Sequence, residues 1–172
     1  NAEPNAGHLS LVELEKRGKL RGLITQNVDG LHIKAGNDPR LVYEIHGTTR
    51  TASCMSCHKS YDPLDIVKRM DDGEWDPRCD CEDSGIIKMD VIYFEEDLPA
   101  DLWLKAMNRT FGCELFIAIG TSLQVVPCAG LPLIARDYGA TIVTINSEPT
   151  ELHDKVHYHL NGSISEILPQ II

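Results

Sequence analysis

Cys54-Met-Ser-Cys57 and Cys79-Asp-Cys81 are two close thiol pairs separated by a polar stretch that bears Asp and Pro. Two such pairs brought together make a tetrahedral zinc site of the structural type, with no position left open for chemistry. The stretch between them is poor in apolar residues, so a metal would supply the order that a core cannot. The second pair is tighter than the usual C-x-x-C, and His58 and Asp80 stand as substitute ligands ranked below Cys54, Cys57, Cys79 and Cys81. Upstream, Gln26, Asn27 and Asp29 follow a short apolar run and precede Gly30. An amide pair and a carboxylate suit ribose hydroxyls and a carboxamide; the same Asn and Asp also serve an ordinary turn by satisfying backbone groups. His46 ends another apolar run, a place where imidazole acts either as a hydrogen-bonded structural group or as a base that titrates near neutrality.

These residues need elements to hold them. Leu20 to Thr25 reads as a buried parallel strand that delivers Gln26–Gly36 at its C-terminal end, where open α/β sheets place ligands. Ala6 to Arg17 has helical spacing of Leu9, Val12 and Leu14, with Leu11 on the flank and Gly18 as the stop. Leu41 to Ile45 is the next strand, closed by His46-Gly47, and Ile86 to Phe94 reads as a strand returning from the cysteine segment. Pro99 to Phe111 is helical in pattern. Leu115 to Ile119 is a wholly apolar run that reads as a central parallel strand, ending in the hydroxyl-bearing turn Gly120-Thr121-Ser122. Ala129 to Tyr138 is a helix stopped by Gly139. Thr141 to Ile145 is a buried strand ending at Asn146-Ser147-Glu148, where an acid can take two ribose hydroxyls or simply face water. Val156 to Leu160 is a last short strand, and Ser163 with Glu166 has capping-box spacing for a final helix. Cys113 and Cys128 lie in apolar segments and read as packing residues.

The alternation of apolar strands with helices implies a parallel α/β sheet. A chain of 172 residues, 42% hydrophobic and 24% charged, suffices for one domain, or for one domain with a small insert. Sixteen basic against 26 acidic residues give a net charge of −10, which disfavours nucleic acid as a partner and suits a basic peptide. No run reaches the length of a membrane span and no signal peptide opens the chain. Paired cysteines without a disulfide pattern point to a reducing compartment, so the expected location is cytoplasmic, or nuclear in a eukaryote.

The blocks TQNVDGLHIKAG, EIHGT, the paired cysteines, GTSLQVVP and INSEPT, in that order and approximate spacing, resemble the sirtuin family of NAD-dependent protein deacylases. The likeness runs from about Pro4, in a P-N-x-x-H opening, to the C-terminus. It implies a Rossmann-like NAD domain from residues 1–50 and 90–172 and a zinc-ribbon module at 51–89. It also implies an acyl-lysine protein or peptide as substrate and NAD as cosubstrate, with nicotinamide and acylated ADP-ribose as products. His46 matches the general base, and Asn27 and Asp29 match residues that orient the nicotinamide end. Gln26 and Val28 belong to the same cofactor-binding loop; Gly120, Thr121, Ser122, Asn146, Ser147 and Glu148 match the adenosine side, and Ile164 matches a residue lying against adenine. Ile92, Tyr93, Phe94 and Glu95 match the edge that pairs with the substrate peptide. Within that segment Met89 stands where proline is usual and Glu95 where glycine is usual, a departure that bears on peptide affinity and acyl preference.

The glycine-rich opening of the family is absent here, so the chain resembles a sirtuin that begins partway in. In the family that segment forms the first, central strand, between the strand ending at Thr25 and the strand ending at Gly120. Without it the sheet is expected to lack its join, and residues 1–172 alone to fold poorly and lack deacylase activity. A reading of another class is a catalytically silent remnant that folds around zinc and binds partners.

Overall fold

A computed structural model describes residues 2–172. The chain divides into two compact units, each built from discontinuous segments: the residues up to Leu23, Leu31–Tyr43 and Ala100–Ile172 form one, Ile24–Gly30 and Glu44–Pro99 the other.

The first unit is organised around a parallel sheet of β6 (Leu115–Ile119), β7 (Thr141–Asn146) and β8 (Tyr158–Asn161), in the order β6-β7-β8. Leu115 pairs with Thr141 and Ile119 with Ile145, while Val143 pairs with Tyr158 and Asn146 with Asn161. Helices α1 (Ala6–Lys16), α2 (Leu31–Ala35), α4 (Ala100–Phe111), α5 (Leu131–Asp137) and α6 (Ile164–Ile171) belong to this unit. Its main core joins Leu11, Leu23, Val42, Ile145 and Leu168. Asn5 caps α1 by accepting from the His8 backbone N–H at 3.1 Å, while the His8 ring closes the capping box on the Asn5 N–H. His8 is therefore structural. At the other end Gly18 takes a positive φ of 69° and donates to the Glu15 carbonyl at 2.8 Å, the stop foreseen for it.

Several expectations need correcting. The face α1 buries is Gly7, Ser10, Leu11 and Val12; Leu9 is exposed. Gly7 permits that face to approach α6 closely, since a side chain there would lie 2.8 Å from Ile164. Leu115–Ile119 is the edge of its sheet and is only partly buried, because β7 occupies just one of its two hydrogen-bonding sides. One expectation holds: strand β1 (Leu23–Thr25) pairs with β2 (Val42–Glu44) in a separate two-stranded ladder, and no hydrogen-bonded join links these strands to β6 among the described residues. Leu23 N donates to Leu41 O at 2.8 Å and Ile45 N to Thr25 O at 3.1 Å, the staggered pattern of a parallel pair. Ser163 sits at the N-cap of α6, where its carbonyl accepts from the Glu166 and Ile167 N–H groups at 3.1 and 2.9 Å, but its side chain makes no capping bond.

The second unit carries an antiparallel sheet in the order β4-β3-β5, with β3 at Gly47–Cys54, β4 at Ser60–Tyr61 and β5 at Ile87–Val91. Strand β3 is missing from the sequence reading, since its TTRTAS run offers little apolar alternation. Its pairing slips between Gly47 and Ala52, so that Gly47 faces Val91 while Cys54 faces Ile87. Helix α3 (Pro63–Asp71) starts on Asp62, whose carboxylate accepts from the Leu64 N–H at 2.8 Å, with proline at its first position. The small core is Ala52, Cys54, Ile66, Cys79 and Ile87. No helix among the described residues is long and apolar enough to cross a membrane.

Candidate functional site

The four cysteines converge. The sulfurs of Cys54, Cys57, Cys79 and Cys81 all lie within 4.8 Å of one another, with Cys54 to Cys81 at 3.8 Å and Cys57 to Cys79 at 3.6 Å. Four sulfurs about 2.3 Å from a tetrahedral zinc stand about 3.8 Å apart, so the cage has the size zinc requires. A hairpin turn brings Cys54 and Cys57 together, for the His58 N–H bonds to the Cys54 carbonyl at 3.0 Å while Met55 N bonds across to Ile86 O at 2.8 Å. The tight Cys79-Asp-Cys81 spacing is accommodated by the next turn, in which Cys79 N bonds to Gly85 O at 3.0 Å. Any side chain at Gly85 would strike the Cys54 sulfur at 2.6 Å. Backbone N–H groups of Cys57 and Ser56 point at the Cys54 sulfur and hold its thiol down to about 6. His58 and Asp80 lie outside the cage. His58 adopts a left-handed backbone, and Asp80 is engaged by the Lys59 ammonium at 2.7 Å.

Beyond the cage, the second unit also holds the loop after β1. The Asn27 N–H donates to Thr25 Oγ1 at 3.0 Å, and the Val28 carbonyl accepts both the Thr49 N–H and its hydroxyl, each at 3.0 Å. Gly30, at φ 70°, lies under the Arg50 guanidinium; a side chain there would meet it at 2.6 Å. Arg50 is paired with Glu44. Burial pushes the Glu44 carboxyl above its ordinary value, against the pull of Arg50, and the charge of Asp29 adds to the rise. Thr25, Glu44, Thr49 and Arg50 thus set the loop that carries Gln26, Asn27, Val28 and Asp29. None of the four was singled out from the sequence; the only signal was their place in the T-Q-N and E-I-H-G-T-T-R runs.

His46 occupies the tight turn between β2 and β3 and is half-buried. Its carbonyl accepts the Ile92 N–H at 2.9 Å, which ties the histidine's turn to the segment after β5. That segment leaves the sheet at Val91, three residues earlier than the strand read from the sequence. It breaks there because the Glu96 carboxylate takes the Tyr93 N–H at 2.9 Å and the Lys88 ammonium at 2.6 Å, folding residues 93–96 into a turn. Tyr93 and Phe94 are exposed, and Glu95 holds a positive φ of 72°, the conformation a glycine adopts without cost. Glu96, unmarked in the sequence reading, is the residue that shapes this turn.

The first unit holds the remaining residues. Gly120 leaves β6 at φ 59°, with its N–H bonded to Ile145 O at 2.9 Å. Asn146 Nδ2 donates to the Thr121 carbonyl at 2.7 Å, and the Thr121 hydroxyl accepts the Leu123 N–H at 3.2 Å. The turn Gly120–Ser122 and the end of β7 are thereby cross-linked at the C-terminal ends of two parallel strands, where an α/β sheet offers its binding crevice. Ser147, whose carbonyl accepts from Asn161 Nδ2 at 3.0 Å, and Glu148 follow and are exposed. Ile164 is half-buried against Gly7.

A family profile described as Sir2 family matches residues 1–127. NAD-dependent protein deacetylase 2 of Streptomyces coelicolor is 39% identical over 173 residues, covering all of this chain and 71% of that protein. The chain belongs to the Sir2 family. The NAD-dependent protein deacetylase of Thermodesulfovibrio yellowstonii is 44% identical across the whole chain and 67% of its own length, so the chain spans about two thirds of the Sir2 relatives it matches. Among solved structures, a Sir2–p53 peptide–NAD+ complex superposes with a TM-score of 0.93 at 33% identity, covering 99% of this chain and 69% of that one. A Sir2Af2 complex with a myristoylated histone peptide does so with a TM-score of 0.87 at 37% identity, covering 99% and 71%.

Proposed function

We propose that this chain carries the zinc module and most of the NAD-binding fold of an NAD-dependent protein-lysine deacylase. Membership of the Sir2 family supports the reaction class, and the chain's own residues suit the parts. The observation that carries the reading is the position of His46: it stands on a tight turn joined by one backbone hydrogen bond to the Ile92–Glu95 segment, in the same unit as the Gln26–Asp29 loop. NAD supplies an electrophilic ribose carbon from which nicotinamide leaves, and the acyl oxygen of the substrate lysine attacks there. His46 takes a proton from a ribose hydroxyl, a task suited to an imidazole that is neutral near physiological pH. Asn27 and Asp29, on a loop held through the Val28 carbonyl, orient the nicotinamide end. Gly120, Thr121, Ser122, Asn146, Ser147 and Glu148 hold the adenosine end, with Ile164 offering apolar surface to adenine. Ile92–Glu95 present backbone and side chains to an acyl-lysine peptide. The zinc cage, closed by four thiolates, orders its module and takes no part in the chemistry.

The test is NAD-dependent nicotinamide release from an acetyl-lysine peptide, made with the protein as its gene encodes it. His46→Ala should lower turnover by about two orders of magnitude or more and leave the melting temperature in place. Retained turnover with a large fall in melting temperature would make His46 a structural residue and overturn its assignment.

A further inference from the structure

Arg50 reaches two parts of the candidate site at once. It stands where β3 slips against β5: Gly47 faces Val91 and Ala52 faces Met89, so β3 carries surplus residues over that stretch. A surplus of this kind re-aims side chains. The Arg50 Nε donates to the Thr48 hydroxyl at 2.9 Å, and its Nη2 donates to the Glu44 carboxylate. Glu44 precedes His46 by two residues and Thr48 follows it by two. The same guanidinium lies against Gly30, the residue after Asp29: a side chain at Gly30 would come within 2.6 Å of its Nε and 3.0 Å of its Cζ. A free arginine side chain would swing away from such a clash, but this one is pinned by Glu44 and Thr48. One planar group therefore meets both flanks of the His46 turn and the end of the Gln26–Asp29 loop, and all of these residues belong to the second unit.

The charges show why a cation belongs there. The Glu44 side chain is only 15% exposed, and that of Arg50 41%. Burial raises the Glu44 carboxyl and the charge of Asp29 adds to the rise, while Arg50 opposes both. Without the guanidinium, Glu44 would lose the cation that offsets its burial. Its repulsion with Asp29 would then act on the loop that Thr49 holds through the Val28 carbonyl. A lysine ammonium is a point charge on a flexible stem and has no planar fork with which to meet Thr48 and Glu44 together beneath Gly30.

We propose that Arg50 is a positioning residue that sets the Gln26–Asp29 loop against the His46 turn, and with it the nicotinamide end of NAD against the base. The proposal rests on the reading of the chain as an NAD-dependent deacylase and adds the residue that couples two of its parts. A misplacement of about 1 Å at such a place costs about a hundredfold in rate.

The experiment uses the protein as its gene encodes it and measures nicotinamide release while NAD and an acetyl-lysine peptide are varied in turn. Arg50→Ala should lower kcat/KM for NAD about a hundredfold and leave KM for the peptide in place. Arg50→Lys, which keeps the charge without the fork, should fall between Arg50→Ala and the unaltered protein. Gly30→Ala should also lower kcat/KM for NAD, and by a smaller factor when Arg50 is already alanine, because the group it strikes has gone. In the same samples the Thr49 amide, bonded to the Val28 carbonyl, should exchange faster in Arg50→Ala while zinc content stays the same. Turnover lost only through a smaller folded fraction, with both KM values kept, would overturn the proposal. So would full activity in Arg50→Lys, or strictly multiplicative effects of the Gly30 and Arg50 substitutions. An unaltered protein that releases no nicotinamide would sink the deacylase reading on its own. Exchange then decides the positioning role: a faster Thr49 amide in Arg50→Ala upholds it and an unchanged one overturns it.

Discussion

Five buried side chains centre each of the two units, and they are not alike. In the parallel-sheet unit they are Leu11, Leu23, Val42, Ile145 and Leu168, with eight further isoleucines, leucines and valines and a terminal Ile172 packed around them. In the cysteine unit they are Ala52, Cys54, Ile66, Cys79 and Ile87, and two of those five belong to the metal cage. One unit is held by aliphatic volume, where each buried side chain removes apolar area from water. The other has too little such area to order a three-stranded sheet and one helix by itself, so its stability is bound up with metal affinity. The two should therefore respond to different insults.

Metal removal makes the sharpest break. Chelation, or Cys57→Ala, should release protection from amide exchange across residues 47–91 while β7 keeps its own. Structural zinc contributes about 10–16 kcal/mol in small zinc-folded peptides, far more than any single side chain of this module could replace. Protection in β3 and β5 that survives chelation would erase the contrast between the units.

A core truncation tests the opposite side. Leu168, fully buried on α6, should cost about 2–5 kcal/mol when changed to alanine, read as loss of exchange protection in β7 and α1. The cysteine unit should keep its zinc, measured by metal analysis of the same sample. Loss of metal in Leu168→Ala would show that the units do not unfold separately.

The sequence made the two kinds of stabilisation visible to different degrees. The cysteine spacing announced the cage, because ligand type and pairing are local properties. The runs LFIAI and TIVTI announced β6 and β7, because strands of a parallel sheet are rich in aliphatic and β-branched residues. What stayed hidden depends on partners far along the chain. The Val28 carbonyl is fixed by Thr49, and nothing in the composition of either residue marks the pair. Strand β3 is built from Thr, Arg and Ser and is ordered by β5, which lies more than thirty residues downstream by the paired positions of Ser53 and Lys88. The open side of β6 was legible only through the resemblance, which sets the absent first strand beside it, since by local pattern an apolar strand reads alike whether one or both of its neighbours are present.

The smallest effect sharpens the picture of the turn after β5. Glu95→Gly should stabilise the cysteine unit by about 0.5–1 kcal/mol, since a left-handed residue costs an L-amino acid about 1–2 kcal/mol and glycine gives back part of that in unfolded-state freedom. Denaturant unfolding of the zinc-loaded protein would read it, and a destabilised variant would mean that the Glu95 side chain makes a contribution larger than its backbone strain.

That turn also says where heritable change is tolerated. Glu96 grips Tyr93 N and Lys88, so the path of residues 93–96 is fixed by a side chain next to position 95 and not by position 95 itself. A lineage can therefore exchange the residue at 95, and with it the charge offered beside Tyr93 and Phe94, at the expense of a small backbone strain and without redrawing the loop. Position 96 has no such latitude: losing its carboxylate would free both the Tyr93 amide and the Lys88 ammonium in one step. Neighbouring codons thus carry unequal constraint, one open to drift in the charge the turn displays and the other tied to the shape of the turn.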